Sequence, residues 1–212
     1  MRLLLATHNE HKRRELERML ASGAEGARLE LQTLPDDVRL PPEDGETFAE
    51  NALGKARAAA AATGRVAIAD DSGIEAAALG GAPGVRSARY AGEQATDEEN
   101  LRKLLREAPA GSALRYVCAI AYVDPRSGVE RVFEGCCTGR MAAVPRGAGG
   151  FGYDPAFEPD DSSPDGGLSD NRPPGDEALP TLTMAELSHE QKDAISHRGR
   201  AARALMRFLT TS

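Results

Sequence analysis

Short apolar runs that stop at polar turns alternate along this chain with segments whose apolar residues recur at helical spacing. Residues 3–6 read as a compact buried strand, which runs into Thr7-His8-Asn9-Glu10-His11-Lys12 and then a helix with Leu16, Met19 and Leu20 on one face. Residues 29–34 alternate and predict a second strand. Thr47-Phe48-Ala49-Glu50 has the form of a capping box, opening a helix that runs through the alanines at 58–62 and stops near Gly64. Phe48, Ala52, Ala56 and Ala59 supply its buried stripe, while Thr47, Asn51 and Lys55 fall at i, i+4 and i+8 on a polar strip. Residues 66–69 predict a third strand that ends abruptly at Asp70-Asp71-Ser72-Gly73. A second capping box, Thr96-Asp97-Glu98-Glu99, precedes a helix packing Leu101, Leu104 and Leu105. Residues 114–123 and 129–138, joined by Asp124-Pro125-Arg126-Ser127-Gly128, predict a β-hairpin expected to form the bulk of a second lobe. Two short capping boxes, Thr183 to Glu186 and Ser188 to Gln191, lead to a last helix burying Ala201, Leu205, Phe208 and Leu209.

Strands alternating with helices predict an α/β protein, and 212 residues suffice for one domain, in two lobes around a cleft. Hydrophobic content of 41% and charged content of 28% belong to an ordinary globular chain. The net charge of -7 argues against a broad nucleic-acid-binding face. No apolar run approaches a membrane span, and residues 1–7 are too short for a signal peptide. Three cysteines, Cys118, Cys136 and Cys137, make neither a disulfide framework nor a zinc site, so they read as small hydrophobes in a cytoplasmic protein. Residues 159–180 are acidic and rich in Pro, Gly, Asp and Ser, which predicts a mobile surface excursion; their spacing is not that of an EF-hand.

Candidate chemistry gathers in a few places. In an open α/β sheet ligands bind beyond the carboxyl ends of strands, where Asp70 and Asp71 suggest a divalent cation and an activated water. The other reading of the pair is strand punctuation. Thr7 to Lys12 joins a strand to a helix, the geometry that aims free N–H groups at an anion, and a lysine in the first turn suits a docked phosphate. On the residues alone, Asn9 as an N-cap and Lys12 as a solvated charge serve as well, and the sequence is neither a Walker A loop nor a Rossmann turn. Gly147 to Pro155 places Phe151 and Tyr153 between glycines ahead of Asp154, which suits a flat ring that stacks and donates N–H groups, or a tight turn with buried aromatic anchors. Lys192, His197 and Arg198 gather before the last helix; Ser196 and His197 are chain neighbours and make no catalytic triad.

Six of these stretches carry a resemblance in order: Thr-x-Asn-x-x-Lys-x-x-Glu from Thr7, Thr-Phe-x-Glu-Asn-Ala-x-x-Lys-Ala from Thr47, Ala-Asp-Asp-Ser-Gly from Ala69, Gly-Gly-Ala-Pro-Gly-x-x-Ser-Ala-Arg-Tyr from Gly80, Gly-Gly-Phe-Gly-Tyr-Asp-Pro from Gly149 and Ile-Ser-His-Arg-Gly from Ile195. The chain resembles the non-canonical purine nucleoside triphosphate pyrophosphatases, the inosine/xanthosine triphosphate family, over almost its whole length. The resemblance implies a long mixed sheet with flanking helices in two lobes, a homodimer, and Mg²⁺-dependent cleavage of ITP, dITP and XTP to the monophosphate and pyrophosphate. Carried over by motif, Thr7, His8, Asn9, Glu10, His11, Lys12 and Lys55 hold the triphosphate. Glu43 and Asp71 bind Mg²⁺, Asp71 also accepts the proton of the attacking water, and Asp70 is a ligand or its support beside Ser72. Phe151, Gly152, Tyr153, Asp154, Lys192, His197 and Arg198 enclose the base, a donor such as Arg198 or His197 rewarding the 6-oxo group. His8, Glu10 and His11 depart from the family's smaller first loop. The alternatives are a related pyrophosphatase with pyrimidine or modified-base preference, and a nucleotide-binding module without catalysis.

Overall fold

The computed structural model describes residues 1–22, 29–160 and 182–211. In chain order the main elements are β1 (Arg2–Leu5), α1 (Glu10–Ser22), β2 (Glu30–Thr33), α2 (Phe48–Thr63), β3 (Ala67–Ala76), α3 (Asp97–Glu107), β4 (Ala113–Asp124), β5 (Val129–Met141), β6 (Phe157–Pro159), α4 (His189–Ile195) and α5 (His197–Thr211). The six strands form one mixed sheet in the order β2-β1-β3-β4-β5-β6. β1 runs parallel to β2 and β3, with Leu4 opposite Ala67 and Leu5 opposite Ile68, while β5 and β6 are antiparallel. The architecture is the α/β class that the alternation of strands and helices predicts, with the mixed sheet that the resemblance implies.

The chain divides into two compact units, and β3, β4 and β5 each pass from one into the other. The first comprises residues 1–73, 117–136 and 197–212. Its core joins Leu3 and Leu5 of β1, Leu16 and Leu20 of α1, Ile68, Cys118, Ile120 and, from α5, Ala201 and Leu205. Leu3, Leu4 and Leu5 are all buried, because a parallel strand is covered on both faces. α2 starts where expected: Thr47 Oγ1 accepts from Glu50 N at 3.1 Å and Glu50 Oε2 accepts from Thr47 N at 3.2 Å. It stops at Gly64, whose φ of 66° is the left-handed cap that glycine adopts without strain. Gly135 in β5 lies directly under α5; a Cβ there would sit 2.2 Å from His197 O, so this glycine allows the helix start to approach the strand.

The second unit comprises residues 74–116 and 137–196. Its core contains Ile74, Leu104, Leu114, Tyr116, Cys137, Met141, Tyr153, Phe157, Met184 and Ile195, with the Tyr116 and Phe157 ring centroids 4.6 Å apart. α3 and α4 open on the capping boxes at Thr96 and Ser188.

Three sequence expectations change. β3 does not end at the paired carboxylates but runs on to Ala76, because Ile74 and Ala76 continue the buried alternation in the second unit's core. The hairpin of β4 and β5 is not the bulk of a second lobe: its turn end, residues 117–136, belongs to the first unit. Cys136 is exposed, whereas Cys118 and Cys137 are the small buried hydrophobes expected. The excursion at 159–180 lies, from residue 161 on, outside the described residues.

Candidate active site

The first unit buries a knot of charge around β3. Asp70 and Asp71 are 1% and 4% exposed and sit mid-strand, so their charge must be met from neighbouring elements. Lys12, in the first turn of α1, reaches Asp70 Oδ2 at 3.3 Å. That contact explains a cation where the helix dipole disfavours one. Asn9 Oδ1 caps the same turn by accepting from Lys12 N at 3.1 Å, so its capping role and the ion pair of the half-buried Lys12 go together.

Arg198, in the first turn of α5, is 2% exposed. Its Nε and Nη2 each donate to Asp70 Oδ2 at 3.3 Å, Nη2 donates to Ser72 Oγ at 2.7 Å, and Nη1 donates to Glu15 Oε2 at 2.5 Å. From α2, Lys55 pairs with Glu43, donates to Asp70 O at 2.6 Å and lies 4.0 Å from Asp71 Oδ1. Asn51, one turn earlier, donates from Nδ2 to Asp71 Oδ2 at 2.9 Å. The polar strip Thr47, Asn51, Lys55 is therefore not a solvated face: Thr47 caps the helix, and the other two are buried against β3.

These surroundings act differently on the two aspartates. Burial works to raise both. At Asp70 it is outweighed by the charges of Lys12, Arg198 and Lys55, which hold the carboxyl well below its ordinary range. At Asp71 burial prevails over Lys12 and Lys55, with Glu43 adding to the upward push. Burial also opposes ionisation of Glu43 and Lys55, yet the charge of Lys55 leaves the glutamate lowered, and those of Asp70, Glu43 and Asp71 leave the lysine raised.

The cluster contains hard oxygen donors. Asp70 Oδ1 is buried and makes no hydrogen bond, an acceptor left over in a place where orphans are rare. Four carboxylates (Glu15, Glu43, Asp70, Asp71) meet three cations (Lys12, Lys55, Arg198), which leaves one negative charge, four minus three, when all are ionised. Among the described residues no three His, Cys, Asp or Glu side chains form a ready-made metal cage. Mg²⁺ does not require one, since it is commonly held by one or two carboxylates together with substrate phosphates. The donor set fits such an ion.

Thr7, His8, Glu10 and His11 complete the turn into α1. Thr7 Oγ1 accepts from Asn9 N at 3.1 Å, His8 and His11 are exposed, and the Glu10 carboxylate is held by Arg13 at 2.7 Å. His197 is buried at the start of α5.

In the second unit, the loop at 150–154 wraps round Asp154, which is 3% exposed. Its Oδ2 accepts from Lys192 Nζ at 2.6 Å and Phe151 N at 3.0 Å, and its Oδ1 accepts from Tyr116 Oη at 3.2 Å. Gly152 N donates to Asp97 Oδ2 at 3.0 Å, and Tyr153 Oη donates to Ser87 O at 2.7 Å, its phenol held above the ordinary range by burial. Phe151 is half-buried, with Lys192 Nζ 5.1 Å from its ring centroid.

Three residues of the expected base-enclosing set have partners within the protein. Asp154 is the hub of its loop, its oxygens engaged by Phe151 N, Lys192 and Tyr116, and Tyr153 is a buried anchor. Arg198 donates to Glu15, Asp70 and Ser72. Sequence reading gave no role to Glu15, Asn51 or Tyr116. Glu15 had a signal: it lies four residues before Met19 and beside Leu16, so it falls on the apolar stripe of α1, where an unpaired carboxylate does not belong.

Comparison with known proteins decides the family. The profile of the Ham1 family matches residues 3–208. The chain belongs to the Ham1 family. It is 45% identical to the dITP/XTP pyrophosphatase of Cutibacterium acnes, over 97% of this chain and 94% of that one. It is 47% identical to the protein of the same name from Symbiobacterium thermophilum, over 98% and 94%. Among solved structures, the HAM1 protein of Coxiella burnetii superposes with a TM-score of 0.80 at 35% identity, covering both chains completely. Ham1 membership agrees with the resemblance carried by the six ordered motifs.

Proposed function

We propose that this Ham1 protein hydrolyses non-canonical purine nucleoside triphosphates, ITP, dITP and XTP, to the nucleoside monophosphate and pyrophosphate. The observation that carries the reading is the split between adjacent buried aspartates, one held ionised by Lys12 and Arg198 and one raised by burial, beside a second cation, Lys55. Neighbouring carboxyls pushed apart in this way take different tasks. The names of its relatives point to the same substrates.

In this reading Asp71 accepts a proton from the water that attacks the α-phosphorus, and pyrophosphate leaves. A carboxylate whose proton affinity is raised by burial is a better base than an ordinary aspartate. Lys12 and Lys55 oppose the charge of the triphosphate, which the positive end of the α1 dipole also favours. Asp70, Asp71 and Glu43 would hold Mg²⁺, which supplies charge neutralisation on the polyphosphate and lowers the pKa of a bound water. Arg198 keeps Asp70 ionised and fixed. Recognition of the base falls, as the family resemblance implies, to Phe151 as a stacking face and to Lys192. A site built to donate to a 6-oxo group is mismatched by the amino group of adenine, at a cost of about 1–3 kcal/mol per unpaired buried group. A homodimer in the cytoplasm is part of the same proposal; among the described residues no helix is long and apolar enough to cross a membrane.

The test is Asp71→Asn, assayed for pyrophosphate release from ITP and for ITP binding. We expect turnover to fall by at least about 10³-fold, the scale of losing a general base together with a metal contact, with binding retained. A variant with near-normal kcat means that another group is the base.

A further inference from the structure

Asn51 has no place in the catalytic set above, yet it is the side chain that joins the segment after Glu43 to the strand carrying Asp71. It is 5% exposed, and both ends of its amide are engaged. Nδ2 donates to Asp71 Oδ2 at 2.9 Å, and Oδ1 accepts from Gly45 N at 2.8 Å. Gly45 approaches so closely that a Cβ there would sit 2.7 Å from Asn51 Oδ1 and 2.9 Å from Glu50 Cβ. The other oxygen of Asp71, Oδ1, accepts from Ser72 N at 2.9 Å. The carboxylate is thus fixed at both oxygens, once by its own strand and once by α2.

Only an amide of this length meets both demands. It donates and accepts at once, so it fixes Asp71 by a hydrogen bond and adds no charge to the cluster. Lys55, one turn on, already supplies the charge, pairing with Glu43 on the same segment. We propose that Asn51 is a positioning residue for the hydrolysis: through one hydrogen bond to Asp71 and one to Gly45 it sets the direction in which the Asp71 carboxylate meets the attacking water. The inference rests on Asp71 being the base.

A purely structural Asn51 would only tether the 43–45 segment, and two substitutions separate the roles. Asn51→Asp keeps an acceptor for Gly45 N and the side-chain volume but replaces the donor facing Asp71 with an oxygen. Asn51→Leu keeps neither bond. The experiment measures kcat and KM for ITP with Mg²⁺, ITP affinity by calorimetry in EDTA, and thermal unfolding, for wild type and both variants. We expect kcat to fall about 10–100-fold in both, the usual cost of losing a partner that orients a catalytic carboxylate, while KM and the affinity in EDTA stay within about threefold. A folded variant with wild-type kcat overturns the inference, and so does a loss of kcat matched by an equal loss of ITP affinity. If Asn51→Leu does not fold, Asn51→Asp alone decides. Wild-type protein that releases no pyrophosphate from ITP overturns the proposed function and the inference together; active wild type with fully active Asn51 variants overturns the inference only.

Discussion

Asp70 and Asp71 are neighbours in β3 but keep different company. Asp70 meets Lys12 and Arg198, and Asp71 meets Asn51 with Lys55 further off. Burial opposes ionisation of both, so the number and closeness of cations decides the outcome: the first is lowered and the second raised. The lowered group has a consequence for stability. Because the folded-state value of Asp70 lies below its ordinary 3.8, its carboxylate contributes fully above that pH and progressively less as pH falls toward the folded-state value. Asp70→Asn leaves Arg198 and Lys12 facing a neutral amide, and removing one partner of a buried pair costs about 3–5 kcal/mol. Urea unfolding in EDTA should therefore show that deficit at neutral pH, with the gap to wild type narrowing below pH 3.8. A gap that is constant across that range, or that widens in acid, contradicts the assignment of charge to Asp70.

At the scale of elements, helices were more legible than strand ends. The capping boxes at Thr47, Thr96 and Ser188 open helices as their sequences predict, because the cap is a local hydrogen-bond pattern complete within four residues. The end of β3 was not legible. Two carboxylates normally punctuate a strand, and only the cations on α1, α2 and α5 let them stay inside one. Those partners lie up to 128 residues away in the chain, beyond any local pattern. The same distance hid the inward turn of Arg198, since a Ser-His-Arg motif does not reveal which side of its helix faces Glu15. The loop at 150–154 was half legible: its glycines announced a shaped turn, but not that Asp154 would be its internal hub. Gly150 is the sharpest expression of that role. Its φ is 69°, and a Cβ would fall 2.0 Å from Asp154 Oδ2. Gly150→Ala should lose about 1–3 kcal/mol of stability, from a left-handed backbone combined with displacement of a buried carboxylate from its partners. Wild-type stability in urea unfolding would mean that Asp154 is not held as described.

For the whole molecule, two facts stand together. The chain carries a net charge of -7, yet Lys12, Lys55 and Arg198 are drawn into one buried cluster of the first unit. A net negative charge repels polyanions in general, which argues against a nucleic-acid binder. Each unit has its own apolar core, and the charged cluster belongs to one of them while the loop of Phe151 and the Lys192–Asp154 pair belong to the other. In the proposed function the cluster would serve hydrolysis of a triphosphate of any base; what makes the proposal specific is preference for a deaminated purine. The most direct test is pyrophosphate release with Mg²⁺ from ITP, dITP, XTP, ATP, GTP, dTTP and UTP, compared as kcat/KM. The prediction is that ITP, dITP and XTP exceed ATP by at least about tenfold, the effect of one mismatched buried hydrogen bond. Equal values for ITP and ATP, or a preference for dTTP or UTP, would contradict it.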